Sequence, residues 1–387
     1  MNSDTEIASI ATWLMAGAPP PGSLGNLVRT FAGRLTAAGF PIDSIALYTY
    51  NIHPIFPASA LQWTKKRGVR QQTVPNDLVG SRDFQDAPQA KTIRDRRMLR
   101  YQLTENYIDE SQPQTIKMYK ISGFTDVVCL PLFNADSSVN KSLVYGTRHD
   151  NGFSSDQVTH MRRLQAPMAR ICEHFGNKID MEVALSTYLG KETGKKVLDG
   201  KIQRGEGETI SAVILFVDIV GFTDLSNSLP ATDVLKVLND FFEVINSSVV
   251  AHYGEILKFM GDGALVIFPV VDDLTAQEAA ARNALNAVTR ARAELQDHDG
   301  VKTIEFRASL HVGEIFYGNI GSQSRLDFTA IGPAVNLASR LLDKASGLNA
   351  KTVCSEAFES ISTMVTDSGT ICEIKGFKEP VSIFIVD

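Results

Sequence analysis

The sequence is poor in cysteine, and the placement of its cysteines excludes more than their number does. Cys129, Cys172, Cys354 and Cys372 are scattered, without the paired spacings that hold a metal or staple a small secreted domain. They read as buried thiols of a reducing compartment. Positive charge is also in short supply: 38 Lys and Arg against 44 Asp and Glu leave a net charge of −6. A nucleic-acid partner normally demands a basic face, so that class has no support here. No apolar run approaches the roughly 20 residues of a membrane span. The opening MNSDTEIASI is acidic where a secretory leader would be basic. The expectation is a cytoplasmic protein without nucleic-acid or membrane partners.

What is present is an ordinary globular composition, 44% hydrophobic and 21% charged, over 387 residues. That length predicts two or three domains. A first zone, about 1–175, opens with the helix-like LVRTFAGRLTAAGF and continues through strand-like SIALYTY, ALQWTKK, DVVCLPLF and SLVYGTR. Ser154 is a candidate N-cap for a closing helix. Beyond it Val158, Met161, Leu164, Met168, Ile171 and Phe175 recur every three or four residues. That stripe is either a core-facing side or a dimer seam. Residues 176–207 carry six glycines, too many for one unbroken helix, and read as a linker of short helical pieces. The third zone, 208–387, alternates strand and helix in the order strand–helix–strand–strand–helix–strand. This fits an α+β, ferredoxin-like sheet.

Chemistry concentrates in the third zone. In AVILFVDIVGFTDLS an apolar strand runs straight into Asp218. In LKFMGDGALVIF a Gly-Asp-Gly turn joins two strands and puts Asp262 at a hairpin tip, four residues after Lys258. Each aspartate by itself fits turn chemistry. In a ferredoxin-like sheet, however, the first strand neighbours the third, so Asp218 and Asp262 are expected side by side. Two carboxylates that close repel unless a cation lies between them. Oxygen donors favour Mg²⁺ or Mn²⁺. Asn336 and Arg340, four apart in AVNLASRL, share one helix face. His252 and His311 read as satisfied histidines rather than catalysts.

FVDIVGFTDLS, LKFMGDGALVIF, HVGEIFYGNIGS and FTAIGPAVNLASRL resemble, in order, the signature blocks of class III nucleotide cyclases. The resemblance implies an enzyme that turns a nucleoside triphosphate into a 3′,5′-cyclic monophosphate and pyrophosphate, with two divalent ions per site and sites at a homodimer interface. It makes Asp218 and Asp262 the metal ligands and Lys258 the purine reader of an adenylate cyclase. Thr329 takes the second base-reading position, where many such enzymes have aspartate. Asn336 would orient the ribose and Arg340 would stabilise the pentavalent phosphorus. Lys375 of EIKGFKEP would bind the terminal phosphates, with Lys378 as the alternative. Thr329 resembles the subclass that includes bicarbonate-responsive enzymes, which makes bicarbonate a candidate activator. A guanylate or relaxed-specificity cyclase, or a silent nucleotide-binding fold, is the competing reading.

The first zone resembles a GAF-type sensor domain in DVVCLPLFNADSSVNKSLVYGTRHDNGFSSDQ, with a PAS-like domain as the competitor. Either implies a regulatory input with a small-molecule ligand. Cys129 is followed by Leu130, where a bilin-bearing cysteine would usually have a histidine neighbour, so it reads as a core thiol.

Overall fold

The computed structural model describes residues 3–51, 53, 55–103, 112–270, 274–297, 304–362 and 369–386. They divide into two units, Met1–Ala184 and Leu185–Asp387.

The first unit runs α1 (Ser3–Met15), α2 (Leu24–Ala37), β1 (Ser44–Tyr50), β2 (Ala58–Thr64), β3 (Gly68–Val74), the short helices α3 (Asn76–Val79), α4 (Arg82–Gln85) and α5 (Pro88–Asp95), β4 (Leu99–Gln102), α6 (Gln114–Ile121), β5 (Asp126–Phe133), β6 (Val139–Thr147) and α7 (Ser155–Leu189). Its six strands form an antiparallel sheet in the order β3-β2-β1-β6-β5-β4. Both faces are covered, so the central strands are apolar throughout rather than alternating. Ile45, Leu47, Leu130, Leu143 and Tyr145 join α1, α2 and α7 in one core. Ala46, Val127, Cys129 and Val144 pack with Ile116 of α6 on the opposite face. Cys129 is fully buried there, and burial pushes its thiol far up.

The helix α7 opens on a reciprocal cap. The Ser154 hydroxyl accepts from the Gln157 N–H at 3.2 Å, and the Gln157 amide oxygen accepts from the Ser154 N–H at 3.0 Å. Its stripe from Val158 to Ile171 is buried in the core of its own unit, with Phe175 packed against it. The helix does not stop near residue 175 as the domain boundary read from sequence required. It continues through Gly176 to Leu189 and breaks at Gly190. The stretch 176–207 is therefore the end of α7, a separate helix α8 (Lys191–Leu198) and a short connection.

The second unit continues from α8 with β7 (Gly207–Ile219), α9 (Phe222–Ser228), α10 (Ala231–Ala251), β8 (Glu255–Met260), β9 (Gly263–Pro269), α11 (Leu274–Gln296), β10 (Phe306–Gly321), β11 (Leu326–Ile331), α12 (Pro333–Gly347), β12 (Thr352–Ser355), α13 (Glu356–Glu359), β13 (Thr370–Cys372) and β14 (Val381–Ile385). The sheet order is β13-β14-β12-β10-β7-β9-β8, with β11 added on β10. The ferredoxin-like arrangement is present: β7 is central and lies between β9 and β10, antiparallel to both. Val213, Leu215, Val217 and Ile219 face α10 and α11. Ala212, Ile214 and Phe216 face α12 and β11. Burial on both faces is why AVILFVDI reads as a continuous apolar run.

Truncating a stripe residue of α7 tests whether it belongs to the core. Leu164, at 0% exposure, should cost about 2–5 kcal/mol as Leu164→Ala. Met181, at 52% exposure, should change stability by less than about 0.5 kcal/mol as Met181→Ala. Thermal melts at two protein concentrations check this. Equal costs, or a concentration-dependent midpoint confined to the Leu164 variant, would make the stripe a seam instead.

Candidate active site

Strand parity places the first acid. Asp218 follows Phe216 by two residues and so points to the α12 face of the sheet, directly across the ladder from Gly263. The β8–β9 turn is a two-residue hairpin, Met260 pairing with Gly263 around Gly261 and Asp262. Gly261 has φ +66°, the positive value that a type II′ turn requires at its first central position. The Ile219 N–H donates to the Asp262 carbonyl at 3.2 Å and ties the turn to the end of β7. Gly263 is needed for space. A Cβ there would lie 2.5 Å from the Val217 carbonyl and 3.0 Å from Asp218 Oδ1.

The two carboxyls meet as expected. Burial pushes Asp218 up to about 6; the charge of Asp262 and a hydrogen bond shared with its carboxyl add to this, and Arg307 opposes it. Among the described residues no third Asp, Glu, His or Cys joins the pair in a metal-holding group. Two hard oxygen donors that repel one another suit a divalent ion whose remaining ligands come from elsewhere, such as phosphate.

Lys258 reaches the same face through an irregularity. The β8–β9 register shifts between Ile256 and Lys258, so Lys258 stands opposite Leu265 rather than Ala264. Leu265 belongs to the α12 side, whereas the next residue, Phe259, packs on Phe242 of α10 at 4.4 Å. Strict alternation would have turned Lys258 to the α10 side; the bulge re-aims it. Its ammonium pairs with Asp327 of β11. Thr329 lies two residues further on that strand and so shares the face of Asp327. Asp327 escaped the sequence reading, although the alternation in LDFTAI could have placed it beside Thr329.

Helix α12 buries Ala334, Val335, Ala338 and Leu341 and leaves Asn336 and Arg340 exposed on one face. Arg340 pairs with Asp343 at 3.1 Å. Arg340 also lines an open cavity of about 700 Å³ with Lys344, Lys375 and Lys378. The structure thus joins Arg340 to both lysine alternatives. That cavity includes neither aspartate of the pair, nor Lys258, nor Thr329. The histidines are satisfied: His311 Nδ1 meets the Ser355 hydroxyl at 2.7 Å, and burial lowers its pKa to about 4. His252 Nδ1 meets the Ser248 carbonyl at 2.7 Å.

Residues 206–387 match the family model described as the adenylate and guanylate cyclase catalytic domain. This part of the chain belongs to that family, the class III cyclase catalytic domains. An uncharacterized protein of Mycobacterium tuberculosis is 32% identical over 202 residues, which are 51% of this chain and 35% of the relative. One of Mycobacterium bovis is 36% identical over 170 residues, 43% of this chain and 30% of its own length. The chain spans about a third of the length of these curated relatives. Among solved structures, the adenylyl cyclase CyaB from P. aeruginosa aligns at 27% identity over 47% of this chain and 96% of that one, with a TM-score of 0.39. The guanylyl cyclase Cya2 aligns at 27% over 46% and 93%, also at 0.39.

The raised Asp218 carries a sign. Its pKa is higher folded than the ordinary 3.8, so its contribution favours the fold below 3.8 and is lost as pH rises through about 6. With chelator present, Asp218→Asn should remove that part of the fall in melting midpoint between pH 4 and 7 and melt higher than wild type at pH 7. An unchanged pH profile would mean that the fold does not raise Asp218.

Proposed function

We propose that the second unit is the catalytic domain of an adenylate cyclase, which converts ATP to 3′,5′-cyclic AMP and pyrophosphate as a homodimer. The carrying observation is the Asp218–Asp262 pair, on the same sheet face as the Lys258–Asp327 pair. One divalent ion or two, Mg²⁺ or Mn²⁺, held by Asp218 and Asp262 would supply positive charge where the triphosphate folds back on its sugar. The ribose 3′-oxygen attacks the α-phosphorus in line, the hydroxyl proton leaves to solvent, and pyrophosphate departs. Arg340 meets the charge that builds on the phosphorus, and Lys375 meets that of the leaving group. Arginine suits the first task because it stays charged at any working pH. Asn336 holds the ribose. Little covalent chemistry falls to the side chains; positioning and charge do the rest.

Specificity for adenine follows from donors and acceptors. Lys258 offers only N–H donors, which suit the ring nitrogen acceptor of adenine and not the N–H of guanine. Asp327 holds that ammonium in place, and its carboxylate, with the Thr329 hydroxyl, supplies acceptors for the exocyclic amine.

The dimer reading is supported by the cavity of Arg340 and Lys375, whose lining includes neither acid of the pair. A twofold axis would set the cavity of one chain against the acids of the other and give two equivalent sites. The first unit, as a GAF-like domain, would be the regulatory input, and bicarbonate is one candidate effector.

Purified protein with Mn²⁺ should form cyclic AMP from ATP faster than cyclic GMP from GTP; the reverse order overturns the adenylate assignment. Asp218→Asn and Arg340→Ala should each lose about 100-fold or more in kcat. Mixed in equal amounts, the two inactive variants should recover up to about a quarter of the wild-type rate, because half the dimers then hold one intact site. No recovery would place both residue sets of a site in one chain.

A further inference from the structure

On the face of the first sheet that carries α2 and α7 lies an open cavity of about 520 Å³. Strands β1, β2 and β3 and Lys141 of β6 line one side. The start of α2 and residues 176–183 of α7 line the other. Its volume lies in the range of small-molecule sites. Leu47, Leu61, Val69 and Ile179 make much of the wall apolar.

One cation is sunk into this wall. Lys141 is 3% exposed, and its Nζ donates to the Asn140 amide oxygen at 3.0 Å. Burial lowers its pKa; Cys172, Asp180 and Glu173 act in the other direction, and Asp180 lines the same cavity. A buried ammonium with a neutral amide as its direct acceptor has lost more hydration than its neighbours return. The helix across from it makes room. Gly176 lies in the middle of α7, and a Cβ there would come 3.1 Å from Lys141 Cε and 3.3 Å from Nζ. Glycine inside a helix costs about 1 kcal/mol against alanine, and here the amine occupies the space that the missing side chain leaves. At the polar end, the Nδ1 of His53 accepts from the Ile55 and Phe56 N–H groups at 3.1 and 3.0 Å. In the neutral ring the proton is therefore on Nε2, as a second donor.

We propose that this cavity is a ligand site for a small organic acid with an apolar body. The carboxylate meets the Lys141 ammonium and the hydrocarbon or ring lies along Leu47, Leu61 and Ile179. An anion supplies the counter-charge that burial has made worthwhile, and the apolar walls supply the remaining affinity. The site deepens the reading of the first unit as a sensor by naming what it senses. Its binding chemistry stands apart from the cyclase assignment.

Calorimetric titration of the full chain with octanoate and with benzoate tests it, with octan-1-ol and octylamine as matched neutral and cationic probes. At least one acid should bind saturably, and neither the alcohol nor the amine should compete at equal concentration. Lys141→Met keeps an unbranched side chain, one atom shorter, and removes the charge; it should weaken the acid about tenfold or more. Val69→Trp fills the cavity without touching the cation and should abolish binding, so the test survives if the lysine variant fails to fold. No saturable binding of either acid, equal binding of octan-1-ol, or wild-type affinity in both variants overturns the proposal. Cyclase assays on the same samples separate the two readings: acid binding without cyclase activity rejects only the catalytic one, and activity without acid binding rejects only this one.

Discussion

The second unit is organised around two carboxyl groups that the backbone forces together. Asp218 cannot retreat, because it is a ladder residue of the central strand with neighbours on both sides. Asp262 cannot swing away as a free loop would, since its carbonyl is tied to Ile219 and its turn spans only two residues. The absence of a Cβ at Gly263 lets the Asp218 side chain lie over the opposite strand. Burial first, and then the charge of Asp262, push the Asp218 carboxyl up to about 6, which Arg307 opposes without removing. The ladder pairings of β7 and of the β8–β9 hairpin fix where both backbones lie. The repulsion between the two acids is therefore built into the backbone.

The rest of that face is arranged by means that keep the core dry. The polar groups emerge where apolar elements end or change register: Asp218 at the last turn of a buried strand, Lys258 at a bulge, Asn336 and Arg340 on the outer side of a helix whose inner side is Ala, Val and Leu. Each leaves the apolar interior without an uncompensated charge in the core. The pairing of Lys258 with Asp327 follows the same logic, since a lysine on an exposed edge strand is held in one place by a carboxylate on β11.

Much of this was legible in the sequence, for definite reasons. The strands SIALYTY and DVVCLPLF coincide with β1 and β5. Long β-rich runs bounded by turn residues leave little freedom. The adjacency of Asp218 and Asp262 followed from topology alone, because a ferredoxin-like order fixes which strands touch. What could not be read was what depends on register and tertiary closure. The bulge that turns Lys258 exists only in the pairing of two strands. The short strands β3 and β4, rich in polar and charged residues, carry little apolar alternation to find. The end of the first zone was placed near 175 because the apolar stripe stops there. A helix can run past its buried stripe, however, and α7 does so until Gly190 ends it.

The helix after that glycine shows why residues read as a linker are part of the catalytic unit. Thr193 of α8 is buried, and its hydroxyl meets Glu255 Oε1 at 3.1 Å and the Tyr317 hydroxyl at 2.9 Å. Tyr317 in turn donates to Glu255 Oε2 at 3.0 Å. Burial raises the Glu255 pKa while these donors pull it down, so the carboxylate depends on α8 for part of its stabilisation. Glu255 begins β8, the strand that carries Lys258 and ends at the turn of Asp262. Moving α8 would strip a buried carboxylate of hydrogen bonds on the strand that carries Lys258 and leads into the turn of Asp262. The energetic weight of this short helix therefore falls on the active-site face rather than on the core.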